Sequence, residues 1–185
     1  MKTEVTTVYL EILTPPALKP GKVTDLTIVE AQVPCPELNR FLYTAVGGNW
    51  YWCDRLSWTY QDWLTHLSQD TVQTWVGYSA GNPAGYFELK QHRDRSIEIL
   101  CFGLLPQFVG RGYGGHLLTT ALQTAWGLKP ERVWVHTCSL DGPNALRNYQ
   151  ARGMRVYREA VSSHELPDTP PGPWPGSEYT GKNAP

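Results

Sequence analysis

Four glycines in six residues, Gly110, Gly112, Gly114 and Gly115, lie between a strand-like run ending at Leu104 and a strongly amphipathic helical pattern. Glycine at such a junction lets the backbone approach a ligand closely, and the first N–H groups of the helix have no partner inside it. Those donors stand at the positive end of the helix dipole, so the matching ligand is a phosphate or pyrophosphate, to which Arg111 would add a charge-assisted contact. The spacing Gly110-x-Gly112-x-x-Gly115 also satisfies the dinucleotide fingerprint. Its context does not: only 70 residues follow Gly115, too few for the remainder of a doubly wound fold. Leu105 to Val109 also intervene where that fingerprint needs a tight turn.

Gln107 to Leu118 (QFVGRGYGGHLL) resembles the acetyl-coenzyme A pyrophosphate loop of the GNAT acetyltransferase superfamily, Q/R-x-x-G-x-G/A. Gln107-x-x-Gly110-x-Gly112 is a literal match, while alignment on the following helix selects Val109-x-x-Gly112-x-Gly114 and places valine where the family has Gln or Arg. The resemblance spans Val23 to Val161. It implies a phosphate cradle of Val109, Gly110, Arg111, Gly112, Tyr113, Gly114 and Gly115, with the backbone near Phe102 and Leu104 pairing with the pantetheine arm. Glu98, 14 residues before Gly112, resembles the family's general-base glutamate. Ala145 to Met154 (ALRNYQARGM) is similar to the A-x-x-x-Y-x-x-x-G-F ending, which puts Tyr149 on the tyrosine that protonates the departing thiolate. Gly142 replaces the family's Asn, and Asn144 is the substitute.

The resemblance implies amine acetylation with acetyl-coenzyme A as donor. An alkylamine with a pKa of about 10.4 is about one part in 2,500 neutral at pH 7, a penalty of about 4.6 kcal/mol, so attack on a thioester requires a base. Glu98 is the candidate base, directly or through one water, with a pair to Arg93 or Arg95 as its other reading; Tyr149 is the candidate acid, with a core tyrosine as its other reading. His136, mid-strand in Trp134-Val135-His136-Thr137-Cys138, is either a reserve base or a hydrogen-bonded core histidine. Phe41, Tyr43, Trp50, Tyr51, Trp52, Trp58, Tyr60 and Trp63 put eight rings into 23 residues. Two readings stand: an aromatic acceptor pocket with Asp54 or Glu37 as ammonium partner, or rings that dock helices on the sheet. A non-catalytic acyl-coenzyme A binding module would keep the loop alone; the presence of both Glu98 and Tyr149 favours the enzyme.

These residues need a scaffold. Strand patterns cover Val5–Thr14, Val23–Val33, Thr71–Ser79, Gly85–Gln91, Ser96–Leu104, Val133–Cys138 and Val156–Val161, with turns at Asn82-Pro83 and His92–Arg95. Helical patterns cover Pro36–Val46, a segment capped by Thr59 and Asp62 with a Trp58/Trp63 staple, the run after Gly115, and Pro143–Arg152. The expected architecture is a mixed α/β (α+β) GNAT-like single domain: a mostly antiparallel twisted sheet of six to seven strands flanked by about four helices. Residues 1–22 form an N-terminal strand or extension, 23–163 the acetyltransferase domain, and 164–185 a Pro-rich extended tail that Trp174 would anchor.

Sixteen Lys and Arg against 17 Asp and Glu leave a net charge of -1, which argues against nucleic acid or an anionic membrane as main partner. The expected partner is a small-molecule or peptide amine, with a homodimer left open. The N-terminus lacks an apolar signal core, so a cytoplasmic protein is expected. Cys35, Cys53, Cys101 and Cys138 are scattered without a C-x-x-C pair, which favours buried free thiols and no metal.

Overall fold

The computed structural model describes residues 2–15 and 24–177. Seven strands form one sheet: β1 (Lys2–Ile12), β2 (Thr27–Glu30), β3 (Val72–Ser79), β4 (Asn82–Gln91), β5 (Ser96–Leu104), β6 (Arg132–Cys138) and β7 (Arg155–Glu165), in the order β2-β3-β4-β5-β6-β1-β7. Every neighbouring pair is antiparallel except β5 and β6. Four helices complete the fold: α1 (Pro36–Gly47), α2 (Tyr60–Leu67), α3 (Tyr113–Gly127) and α4 (Ala145–Ala151). The expected mixed fold is therefore present, with β2 shorter than its pattern; the part of that pattern before Thr24 lies outside the described residues.

Each face of the sheet has its own core. Leu117, Leu118, Ala121, Leu122 and Ala125 of α3 and Tyr149 of α4 bury against Leu10, Phe87, Leu89, Ile97, Ile99, Val133 and Val135. Leu42, Tyr43 and Val46 of α1 and Trp63 of α2 bury against Val76, Tyr86 and Cys101 on the other face. Strand alternation of period two produces this division. The capping box of α2 forms as its sequence requires: the Asp62 N–H donates to Thr59 Oγ1 at 3.2 Å, and the Thr59 N–H donates to Asp62 Oδ2 at 2.8 Å. The Trp58 and Trp63 rings meet edge to face at 5.0 Å.

Two expectations are corrected. The β3–β4 turn falls at Ala80 and Gly81, which both hold positive φ (49° and 80°), as a two-residue hairpin demands. Asn82 and Pro83 belong to β4 instead, and Pro83 is tolerated because it adjoins a bulge on its own strand at Ala84, which has no opposite residue on β3. The tail is anchored by backbone, not by Trp174: the Gly172 N–H donates to the Gly48 carbonyl at 3.1 Å, while Trp174 is 60% exposed. Close approach requires glycine there, since a Cβ on Gly48 would lie 2.6 Å from the Gly172 carbonyl carbon.

β1, expected ahead of the domain, hydrogen-bonds on both edges, to β6 and to β7. The four cysteines are unpaired, but only Cys101 is fully buried. Among the described residues no helix is long and apolar enough to cross a membrane.

Candidate active site

β5 and β6 pair over only three residues each, Ser96–Glu98 with Arg132–Trp134. One residue beyond Glu98, after Ile99, the register of β5 against β4 slips, leaving Leu100 without an opposite residue. A bulge bends and twists its strand, and here it coincides with the point where β5 parts from β6. The edge of β5 from Ile99 to Leu104 that faces β6 consequently has no partner strand. α3 is the crossover between these parallel strands, so its N-terminus opens at the carboxyl end of β5, where open α/β sheets place their ligands.

The glycine segment lies at that end. A 3-10 turn, Pro106–Phe108, leads to Gly110 and Gly112 at φ +85° and +83°, conformations that side chains rarely adopt, and Gly112 caps α3 with no side-chain bond to its first N–H groups. Those donors are available to an anion. A Cβ on Gly110 would meet nothing within 4 Å, so the loop is open on that side. The residues thus fit a pyrophosphate held by backbone N–H groups.

Around the loop, several side chains hold the first turn of α3 in place. The Tyr113 side chain turns inward, its hydroxyl 2.7 Å from Asp25 Oδ1 and 2.8 Å from Ser79 Oγ, and the bond from Tyr113 holds the Asp25 carboxyl below its ordinary range. Thr24 Oγ1 meets His116 Nδ1 at 2.8 Å. Asn148 Nδ2 donates to the Gly114 carbonyl at 3.2 Å, and Arg152 Nε donates to Thr119 Oγ1 at 3.2 Å. Arg152 also explains Gly115, where a Cβ would come within 2.2 Å of its Nη2. Sequence reasoning missed Asn148 and Arg152, although their i, i+4 spacing on one face of α4 was a readable signal.

Glu98 and Tyr149 flank the gap from opposite faces of the sheet. Glu98 is nearly enclosed, its side chain 7% exposed, with Oε2 2.9 Å from His92 Nε2 and Oε1 3.5 Å from His136 Nδ1. The hydrogen bond to Glu98 raises the pKa of His136 above the ordinary histidine value against the effect of burial, with Asp141 and Asp54 adding to the rise. His136 is therefore neither unpartnered nor a core residue, since almost half of its side chain is exposed. Tyr149 is buried with its ring 5.8 Å from that of Phe102, and no described residue takes a hydrogen bond from its hydroxyl. Burial, then the nearby Asp141, push its pKa well above the ordinary phenol value, so it keeps its proton. Burial likewise pushes the Cys101 thiol up to about 12.

The other expected residues divide. Leu104 reaches Gly114, lying within 3.8 Å of a Cβ built there. Val109 is 56% exposed and its N–H is engaged by the Pro106 carbonyl at 3.2 Å, so that N–H is not free for a ligand. Arg111 rests its guanidinium 5.4 Å from the centre of the Phe108 ring. Asn144 is the exposed N-cap of α4 and makes no side-chain cap bond. Glu37 contacts Cys35, whereas Asp54 is close enough to act on His136 and Cys138.

Half of the aromatic run, Tyr43, Trp52, Trp58 and Trp63, belongs to the core on the α1 and α2 face of the sheet, whereas Phe41 and Tyr60 are exposed. Tyr43, Trp52 and Trp63 pack together at 5.3–5.8 Å, and Arg55 lies 4.7 Å from the Trp58 ring centre and bonds buried Glu88 at 3.0 Å. Trp50 packs on Gly142 beside the gap, within 3.3 Å of a Cβ built there.

A family model described as Acetyltransferase (GNAT) family matches residues 30–154, from β2 through α4 and including the glycine loop, Glu98 and Tyr149. The chain belongs to the acetyltransferase (GNAT) family. Solved GNAT structures share its fold at low identity. A GCN5-related N-acetyltransferase from Sphaerobacter thermophilus aligns with a TM-score of 0.62 and 17% identity, over 95% of this chain and 53% of its own. A GNAT acetyltransferase from Elizabethkingia anophelis with acetyl-CoA bound gives 0.52 and 18%, over 74% and 80%. Spermidine N-acetyltransferase from Vibrio cholerae, in complex with CoA and spermine, gives 0.57 and 20%, over 70% and 80%. The chain spans 53% to 62% of the length of the longer neighbours. No curated protein sequence matches it.

Proposed function

We propose that this GNAT chain is an N-acetyltransferase that moves an acetyl group from acetyl-coenzyme A to a primary amine of a small molecule or peptide, with Glu98 as general base and Tyr149 as general acid. The observation that carries this reading is the placement of those two groups on opposite faces of the gap between β5 and β6, at whose end the glycine loop opens. Acetyl-coenzyme A supplies the activated thioester. The unpaired N–H groups from Gly112 to Gly115 suit its phosphates, and the free edge of β5 near Phe102 and Leu104 suits an extended amide-bearing arm. A β5 N–H on that edge is a fixed donor for the charge that develops on the carbonyl oxygen. Glu98 accepts the first proton of the acceptor ammonium; as the tetrahedral adduct collapses, Tyr149 gives its proton to the departing thiolate and the second N–H proton of the adduct's nitrogen restores the phenol. Asp54 and Asp141 beside His136 make the mouth anionic, and Trp50 gives it an apolar wall, which fits a cationic amine.

The test is release of free thiol from acetyl-coenzyme A with spermidine, phenethylamine and a peptide bearing a free N-terminus, alongside thermal-shift titration with acetyl-coenzyme A. Glu98→Gln and Tyr149→Phe are each expected to lower turnover by about ten-fold or more while leaving acetyl-coenzyme A affinity nearly unchanged. Normal turnover in both variants overturns the assignment. Stabilisation by acetyl-coenzyme A with no thiol release on any amine marks a binding module instead of an enzyme.

A further inference from the structure

The Glu98 carboxylate is held between two histidines, one on each oxygen. His136, on β6, stands at the mouth beside Asp54 and Asp141. His92, in the turn between β4 and β5, lines a separate open cleft of about 660 Å³ with Lys90, Arg93, Asp94, Arg132 and Trp134, and Glu98 does not line that cleft. The side chains are 45%, 7% and 32% exposed for His136, Glu98 and His92, so the carboxylate is the enclosed middle of a chain whose two ends are wet. An enclosed base that takes a proton on every turnover needs a route by which to lose it. The 2.9 Å contact to His92 is the shorter of its two exits and the one that opens on the cleft.

We propose that His92 is the proton outlet of the active site, passing to the cleft each proton that Glu98 removes from the acceptor; this rests on the reading of Glu98 as the base. The N–H bond of the acceptor ammonium breaks and its proton goes to Oε1 of Glu98. With the carboxyl protonated, exchange with cleft water moves the ring proton of His92 from Nε2 to Nδ1, rotation of the carboxyl brings its O–H to the Oε2 side, the proton passes to Nε2, and the resulting imidazolium gives its Nδ1 proton to cleft water, which leaves Nε2–H facing the carboxylate as at the start. Carboxylate and imidazole both end as they began. The groups around this path are Lys90, opposite Glu98 on β4, Asp94 beside His92 on the turn, Arg93 and Arg132 in the cleft wall, and Asp54 and Asp141 around His136. Asp94 is already bonded to the Ser96 N–H and hydroxyl at 3.0 and 2.6 Å, so its carboxylate is occupied.

The experiment compares kcat and KM of the wild type, His92→Gln, His92→Ala and Glu98→Gln on the panel amine turned over fastest, in dilute and in concentrated imidazole buffer. His92→Gln keeps a donor toward Glu98 but cannot relay a proton; it is expected to lose about ten-fold in kcat at low buffer with KM for both substrates unchanged. His92→Ala, which opens the cleft to a small base, is expected to recover with imidazole concentration, a response that a purely structural role does not produce. Wild-type kcat in His92→Gln, or a loss in His92→Ala that imidazole leaves unchanged, overturns the proposal while an inactive Glu98→Gln preserves the base. Full activity of Glu98→Gln overturns the base itself, and absence of turnover on every amine overturns both readings.

Discussion

His136 carries a pH signature that can be measured without any substrate. Its pKa is raised in the folded state, chiefly by the bond to Glu98. A group whose folded pKa exceeds its unfolded value of about 6.5 contributes stability that is complete below that value and is lost as pH rises through the folded pKa. His136→Gln should therefore melt below the wild type in mildly acidic buffer, with the difference closing at alkaline pH. Thermal melts at the two ends of that range check this, and a difference independent of pH would sink it. The family pattern singles out Glu98 and Tyr149 by their spacing from the glycines. His92 was not legible: it lies six residues from Glu98, and only the turn at His92–Arg95 folds its ring back onto the carboxylate.

Among the elements, the segment joining α1 to α2 is held down by one buried polar group. Glu88, on β4, is fully enclosed and accepts bonds from Arg55 at 3.0 Å and meets His66 Nε2 at 2.8 Å. Burial acts to raise its pKa, but His66 and Arg55 outweigh that and hold it below the usual range. Arg55→Leu should destabilise the fold by about 3–5 kcal/mol by stranding that charge. Urea unfolding checks this, and replacing Glu88 with leucine in the same chain should restore part of the loss. The α2 helix itself was legible to the residue, because Thr59, Asp62, Trp58 and Trp63 form a local code for its start. The β3–β4 turn was not, because Asn82-Pro83 has the composition of a turn while cross-strand register places the reversal at Ala80-Gly81.

At the scale of the whole molecule, the sheet depends on its first strand. β1 separates β6 from β7 and buries Leu10 and Ile12 in the core beneath α3. Deleting residues 2–12 should abolish cooperative melting followed by circular dichroism, since β7 would lose its one neighbour among the described strands and β6 one edge. A cooperative transition in the truncated chain would show that β1 is an accessory. The exposure of β7 along nearly its whole length fits this dependence, because the strand is held by pairing with β1 more than by burial.

By itself the sequence determined the fold class, the glycine loop and the α3 helix behind it, because these follow from local periodicity and from the backbone freedom of particular residues. The Glu98–Tyr149 pair was also named from the sequence, by spacing within a family pattern. Only the tertiary structure decided that β1 lies inside the sheet, that β5 parts from β6 just after Glu98, that Tyr43, Trp52, Trp58 and Trp63 are core around Arg55, and that two histidines bracket one carboxylate. Each of these is a contact between segments far apart in the chain or across a turn, and strand alternation restricts the facing side chains without choosing the partner strand or the register.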